Sequence, residues 1–141
     1  MSLTFLLVLG LIGIWLIARG NAGVKAAEVQ RAIEDPDGTT LDELARAGSN
    51  LTREHLIEFY LYFPERDAAE AAEAVLQAEG FETRIHLNEK EGDWTLLATR
   101  RMRPELAPLR AMRDRLTALV DERGGVYDGW GTEVENDHGR E

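Results

Sequence analysis

The chain has 141 residues, no cysteine and a formal net charge of −10. Residues 1–27 carry only Arg19 and Lys25, so the remainder, with 14 basic and 26 acidic residues, stands at −12. Disulfides, cysteine-ligated zinc and thiol catalysis are excluded, and an acidic domain lacks the basic surface that phosphate-backbone binding needs. At 44% hydrophobic and 30% charged, the composition is that of a folded domain, with room for one modest core after the N-terminal stretch.

Met1 to Ala18 contains no charged side chain. Eighteen residues reach about 27 Å as a helix, close to the roughly 30 Å of a bilayer core. Gly10 and Gly13 are tolerated in such a helix, and Trp15 suits an interfacial position. A cleaved signal peptide competes, but no basic residue precedes the apolar run and the residues after it match a cleavage site poorly. The favoured reading is therefore an uncleaved anchor over residues 1–20. Arg19, Lys25 and Arg31 follow the span, so the positive-inside rule places the C-terminal domain in the cytoplasm, at the inner membrane.

Residues 21–39 read as a stalk or linker, with an Ala-rich helix over 21–34. Asp35-Pro36-Asp37-Gly38 has turn chemistry. Thr40-x-x-Glu43 predicts a capping box, opening the domain at residue 40 with a short helix from Leu41 to Ala47, closed by Gly48. Asn50-Leu51-Thr52 matches a glycosylation sequon, which carries no meaning for a cytoplasmic domain.

His55–Phe63 alternates, with Ile57, Phe59, Leu61 and Phe63 on one face, and predicts a strand ended by Pro64. Asp67-x-x-Glu70 predicts the cap of a helix to about Glu79, with Ala68, Ala71, Ala72, Val75 and Leu76 on its apolar stripe and Gly80 closing it. Phe81–Leu87 and Trp94–Arg100 predict two strands joined by the polar turn 88–93. Pro104 suits the first turn of a helix carrying Leu106, Leu109, Met112, Leu116, Leu119 and Val120, ended by Gly124-Gly125. Val126 opens a fourth strand. The order strand, helix, strand, strand, helix, strand predicts an α+β, ferredoxin-like βαββαβ fold: an antiparallel four-stranded sheet with two helices on one face.

Little of this carries catalytic chemistry. His55, His86 and His138 lack metal-ligand spacing and read as exposed or edge residues. No phosphate loop or nucleophile elbow occurs, and Ser2 and Ser49 are the only serines. No metal or cofactor is expected. Tyr60 and Tyr62 invite comparison with an RNA-recognition motif, but the third strand, WTLLATR, lacks that module's signature. Arg100, Arg101, Arg103, Arg110, Arg113 and Arg115 form a cluster, read either as a solvated face offset by Glu105 and Asp114 or as a docking patch for an acidic partner or RNA.

The most unusual stretch is Val126-Tyr127-Asp128-Gly129-Trp130-Gly131-Thr132. Its glycines permit positive φ or close backbone approach and predict a bulge or kink. Either Trp130 folds over the core edge with Asp128 capping the bend, or the segment presents an aromatic and an acid to a partner.

Tyr127–Thr132, followed by an acidic C-terminus, resembles the end of the regulator of ribonuclease activity B family, the bacterial protein inhibitors of ribonuclease E. The resemblance extends over about Leu41 to Glu135 through the helix–strand pattern, the Ala-rich helix ending in Gly80-Phe81, the Trp94 strand and the long helix before the glycines. It implies a ferredoxin-like fold without catalytic activity that binds ribonuclease E, restrains RNA cleavage and alters degradosome composition. Tyr127, Asp128, Gly129, Trp130 and Gly131 are then the candidate partner-binding residues, and no direct nucleic-acid contact is expected. The chain departs from the family in its N-terminal anchor and in its short acidic tail (Glu133, Glu135, Asp137, Glu141). A membrane-tethered small-ligand-sensing or interaction domain unrelated to ribonuclease is the alternative.

Overall fold

The computed structural model describes residues 26–135 and, as backbone, Phe5–Leu7. The membrane helix expected over residues 1–20, Trp15 within it, and the tail residues Asp137, His138 and Glu141 lie outside the described residues, apart from Phe5–Leu7. Those three form a short strand, β1, rather than part of a helix. No helix among the described residues is long and apolar enough to cross a membrane.

Four helices and four further strands follow: α1 (Ala26–Glu34), α2 (Pro36–Arg46), β2 (His55–Phe63), α3 (Arg66–Ala78), β3 (Glu82–Asn88), β4 (Asp93–Met102), α4 (Leu106–Asp121) and β5 (Val126–Glu133). The sheet runs β1-β5-β2-β4-β3, every pairing antiparallel. Without β1 this is the four-stranded antiparallel sheet of the predicted βαββαβ order. All of the core lies on one face. Ile57, Phe59, Leu61 and Phe63 of β2 meet Leu96 and Ala98 of β4, Ala69, Ala72 and Leu76 of α3, and Leu109, Leu116, Leu119 and Val120 of α4. The helix α3 buries Ala69 where Ala71 was expected. Phe81 closes one end, edge-on to Phe59 with ring centroids 5.9 Å apart.

The helix starts differ from the capping expectations. Asp35-Pro36-Asp37-Gly38 is the first turn of α2, not a turn before it: the Asp35 side chain accepts from the Gly38 amide and Pro36 occupies the first helical turn. Proline's fixed φ and missing N–H suit that position as well as they suit a turn. Thr40 is inside the helix, its hydroxyl donating to the Pro36 carbonyl. The Asp67-x-x-Glu70 box is also not formed, since α3 begins at Arg66 with Glu65 before it, and Arg66 pairs instead with Glu70 at 3.0 Å. Pro104 precedes α4 rather than lying in it.

Two glycines in β5 and before it are fixed by geometry. Gly129 has φ +99°, and the β2–β5 register shifts between Phe59 and Leu61, so the predicted bulge is present. Gly125 lies against β2. A Cβ there would stand 2.6 Å from the Tyr62 carbonyl oxygen and 2.7 Å from the Phe63 ring. Backbone and a buried ring cannot both give way, so Gly125→Ala is expected to cost about 1–3 kcal/mol in urea unfolding. A change under roughly 0.5 kcal/mol, the usual scatter for surface positions, would contradict the close approach.

Candidate functional site

The residues around the glycine-flanked tryptophan converge on a buried carboxylate. Asp37, in the first turn of α2, is 1% exposed. It accepts two hydrogen bonds from Arg113 of α4, Nε to Oδ2 at 2.9 Å and Nη2 to Oδ1 at 3.1 Å, and a third from Trp130 Nε1 at 3.1 Å. A guanidinium fork matches a carboxylate in this geometry, and the third donor occupies a lone pair that burial would otherwise leave bare. Burial alone would lower the Arg113 pKa, but the bond and the charge of Asp37 outweigh it and the net shift is upward. Arg113 also lies over the Tyr127 ring, 5.2 Å from its centroid. Beside this network Arg110 pairs with Asp35 at 3.0 Å and holds that carboxyl below its ordinary range.

Of the five residues expected to meet a partner, Trp130 is almost fully enclosed, at 1% exposure on the helix-covered face. Gly129 supplies the bulge and Gly131 pairs with Glu58. Tyr127 faces the core, half-buried, with its hydroxyl enclosed and unpartnered. Burial drives that phenol's pKa upward, partly offset by Arg113. Asp128 sits in the bulge, 7% exposed, and its Oδ2 has no partner. So the segment holds together, but Trp130 acts from the interior.

Burial pushes the Asp128 carboxyl up to about 6 from the ordinary 3.8, with Arg113 opposing. A raised carboxyl pKa means that the folded state holds the proton more tightly than the unfolded chain does. Ionising Asp128 therefore destabilises the fold, with no cost below about pH 4 and the full cost above about pH 6. Asp128→Asn is expected to stabilise the domain by about 1–2 kcal/mol at pH 7.5, with the two proteins converging by about pH 4. Equal unfolding midpoints at pH 7.5 would show that the carboxylate is solvated.

Two further features were not read from the sequence. His55 is fully buried rather than exposed or at an edge. Its Nδ1 lies 2.9 Å from the Arg53 carbonyl, which fixes Nδ1 as the donor and leaves Nε2 to accept from Ser49 Oγ at 2.6 Å. Ser49 in turn accepts from the Glu135 amide at 2.9 Å, and the Asn50 amide donates to the Glu135 carbonyl. The Ser49 and Asn50 bonds to Glu135 thus tie the chain after β5 to the loop after α2, and the serine–histidine contact joins that loop to the start of β2. The signal was available, since His55 shares the alternation of Ile57 and Phe59.

The arginine cluster is largely consumed within the domain. Arg110 and Arg113 hold α2, Arg115 pairs with the Glu79 carboxylate, and Arg100 donates to the Glu79 carbonyl at 2.6 Å while lying over Phe81. Of the six, Arg100, Arg101 and Arg103 form no ion pair among the described residues. Among those residues, too, no three His, Asp or Glu side chains converge as a metal ion would require.

Comparison with protein families finds that the model described as regulator of ribonuclease activity B matches residues 34–132. The match begins just before the helix that carries Asp37 and ends within the strand that carries Trp130. Comparison with curated proteins finds no match.

Proposed function

Because the chain belongs to the regulator of ribonuclease activity B family, we propose that it is a non-enzymatic regulator that binds ribonuclease E and restrains its cleavage of RNA. The observation that carries this is the extent of the match, 34–132, which takes in every residue of the Asp37–Arg113–Trp130 network. The partner-binding segment is Tyr127–Gly131. Trp130, Gly129 and Gly131 shape the bulge from within, and Asp128 offers the acid. An acidic domain of this kind is suited to a basic protein surface.

Biolayer interferometry with immobilised ribonuclease E and the full chain tests the partner. The expected result is saturable binding at micromolar concentrations or below; no binding at 100 μM would overturn it (about 5.5 kcal/mol at that limit).

We also propose that the apolar run Met1–Ala18, with Arg19, Lys25 and Arg31 behind it, holds the domain at the cytoplasmic face of the inner membrane. Anchoring through this run requires Phe5–Leu7 to leave their pairing with β5. The chain is expected to pellet with membranes and to stay there through carbonate washing, and release into the soluble fraction would refute the anchor.

A further inference from the structure

We propose that the face of the sheet opposite the helices takes a positively charged side chain, arginine or lysine, of the protein partner between Asp93, Tyr62 and Asp128. The inference rests on the regulator reading and names the chemistry that the partner must present.

The register brings these three residues to one end of that face. Tyr62 pairs with Thr95 on one side and Val126 on the other. Asp93 lies two residues before Thr95, on the same face of β4. Asp128 lies in the bulge opposite Tyr60, two residues beyond Val126. The Tyr62 phenol registers both carboxylates: burial, then Asp128, then Asp93 push it up to about 12. It is therefore a neutral ring with an acid on either side.

Each acid has one enclosed oxygen without a hydrogen-bond partner. Asp128 is 93% buried by its 7% exposure, and its Oδ2 has no hydrogen-bond partner; Asp93 Oδ1 is enclosed and unpartnered as well. Native buried carboxylates are ordinarily paired, because leaving one bare costs more than the pair returns. The neighbouring groups are otherwise engaged. Tyr60 donates to Glu58 at 2.8 Å, and Arg113, which reaches Asp128 from the helix side, is held by Asp37. Arg84 and Arg101, on the same face, form no ion pair with either acid among the described residues.

Two enclosed acceptors beside an aromatic ring match a guanidinium or ammonium group, which brings donors, charge and a cation–π contact together. Val126, 58% exposed and paired with Tyr62, would lie against the aliphatic stem.

The test uses the full chain and a hexa-arginine peptide in calorimetric titration at 150 mM salt, where long-range attraction is screened beyond about 8 Å. The pocket variant is Asp93→Asn/Asp128→Asn. The charge-matched control is Glu54→Gln/Glu65→Gln, at two exposed positions. Retained tryptophan fluorescence and a cooperative unfolding transition, at a higher midpoint in the pocket variant as expected of Asp128→Asn, verify that each variant is folded. The pocket variant is expected to lose at least tenfold in affinity and the control less than twofold. Equal losses in both, no loss in the pocket variant, or no binding by the native chain would overturn the proposal.

A parallel arm replaces the peptide with ribonuclease E. If the native chain and the pocket variant bind the ribonuclease equally, the pocket proposal fails and the regulator reading stands. If the native chain ignores the ribonuclease while the peptide arm behaves as expected, the reading fails and the pocket stands.

Discussion

Arg113→Ala is expected to lower the unfolding free energy by about 3–5 kcal/mol, because it strands a buried carboxylate rather than merely removing a contact. Asp37 is 1% exposed, and Arg113 supplies two of its three donors. With total stabilities of about 5–15 kcal/mol, a loss of this size leaves part of the population unfolded at 37 °C. Removing both charges is expected to hurt less than removing one. Arg113→Met/Asp37→Leu should recover part of the loss, since neither charge is then left alone, although Trp130 Nε1 loses its acceptor. Urea unfolding followed by far-UV circular dichroism measures both. A loss below about 1 kcal/mol in Arg113→Ala, the value of an ordinary exposed ion pair, would show that water reaches Asp37.

The second large effect is expected at Trp130. Trp130→Ala removes a side chain that is 1% exposed, and should cost about 3–5 kcal/mol through lost burial and the cavity left behind. Trp130→Phe keeps most of the volume but loses the bond to Asp37, and should cost about 1–3 kcal/mol, the penalty of a buried acceptor short of one donor. The contrast separates packing from hydrogen bonding. It also separates position from contact. If Trp130 shapes the segment from within, folded Trp130→Phe should bind ribonuclease E within about threefold of the native chain, far short of the tenfold that 1.4 kcal/mol of direct contact would change. Loss of binding by a folded Trp130→Phe would place the indole at the partner.

The alternation of His55–Phe63 and of the two hairpin strands made the sheet legible, because a period of two leaves no other economical way to bury Ile57, Phe59, Leu61 and Phe63. The helix stripes were legible for the same reason. The start of α2 was not. Asp-Pro-Asp-Gly satisfies the preferences of a turn and of a helix N-terminus alike, and what decides between them is Arg113, 76 residues away, drawing Asp37 into the interior. One sequence carries no trace of that pairing.

The arginine cluster was opaque for a related reason. Its charges look like a surface patch until Asp35, Asp37 and Glu79 are brought against them from earlier in the chain. Three of the cluster's six arginines are thus paired within the domain. The glycines around Trp130 did announce the bulge, since Gly129 supplies the positive φ that it requires. They could not announce which way the indole faces. That depends on the β2 register, in which Trp130 stands opposite Phe59 and so shares its buried face.

The regulatory role rests most directly on ribonuclease activity itself. Ribonuclease E cleavage of a defined RNA, followed with increasing amounts of the full chain, should slow in a saturable way. The slowing should half-saturate near the dissociation constant from interferometry and weaken with the Asp93→Asn/Asp128→Asn variant. A cleavage rate unchanged at concentrations well above that constant would contradict the regulator assignment for this chain.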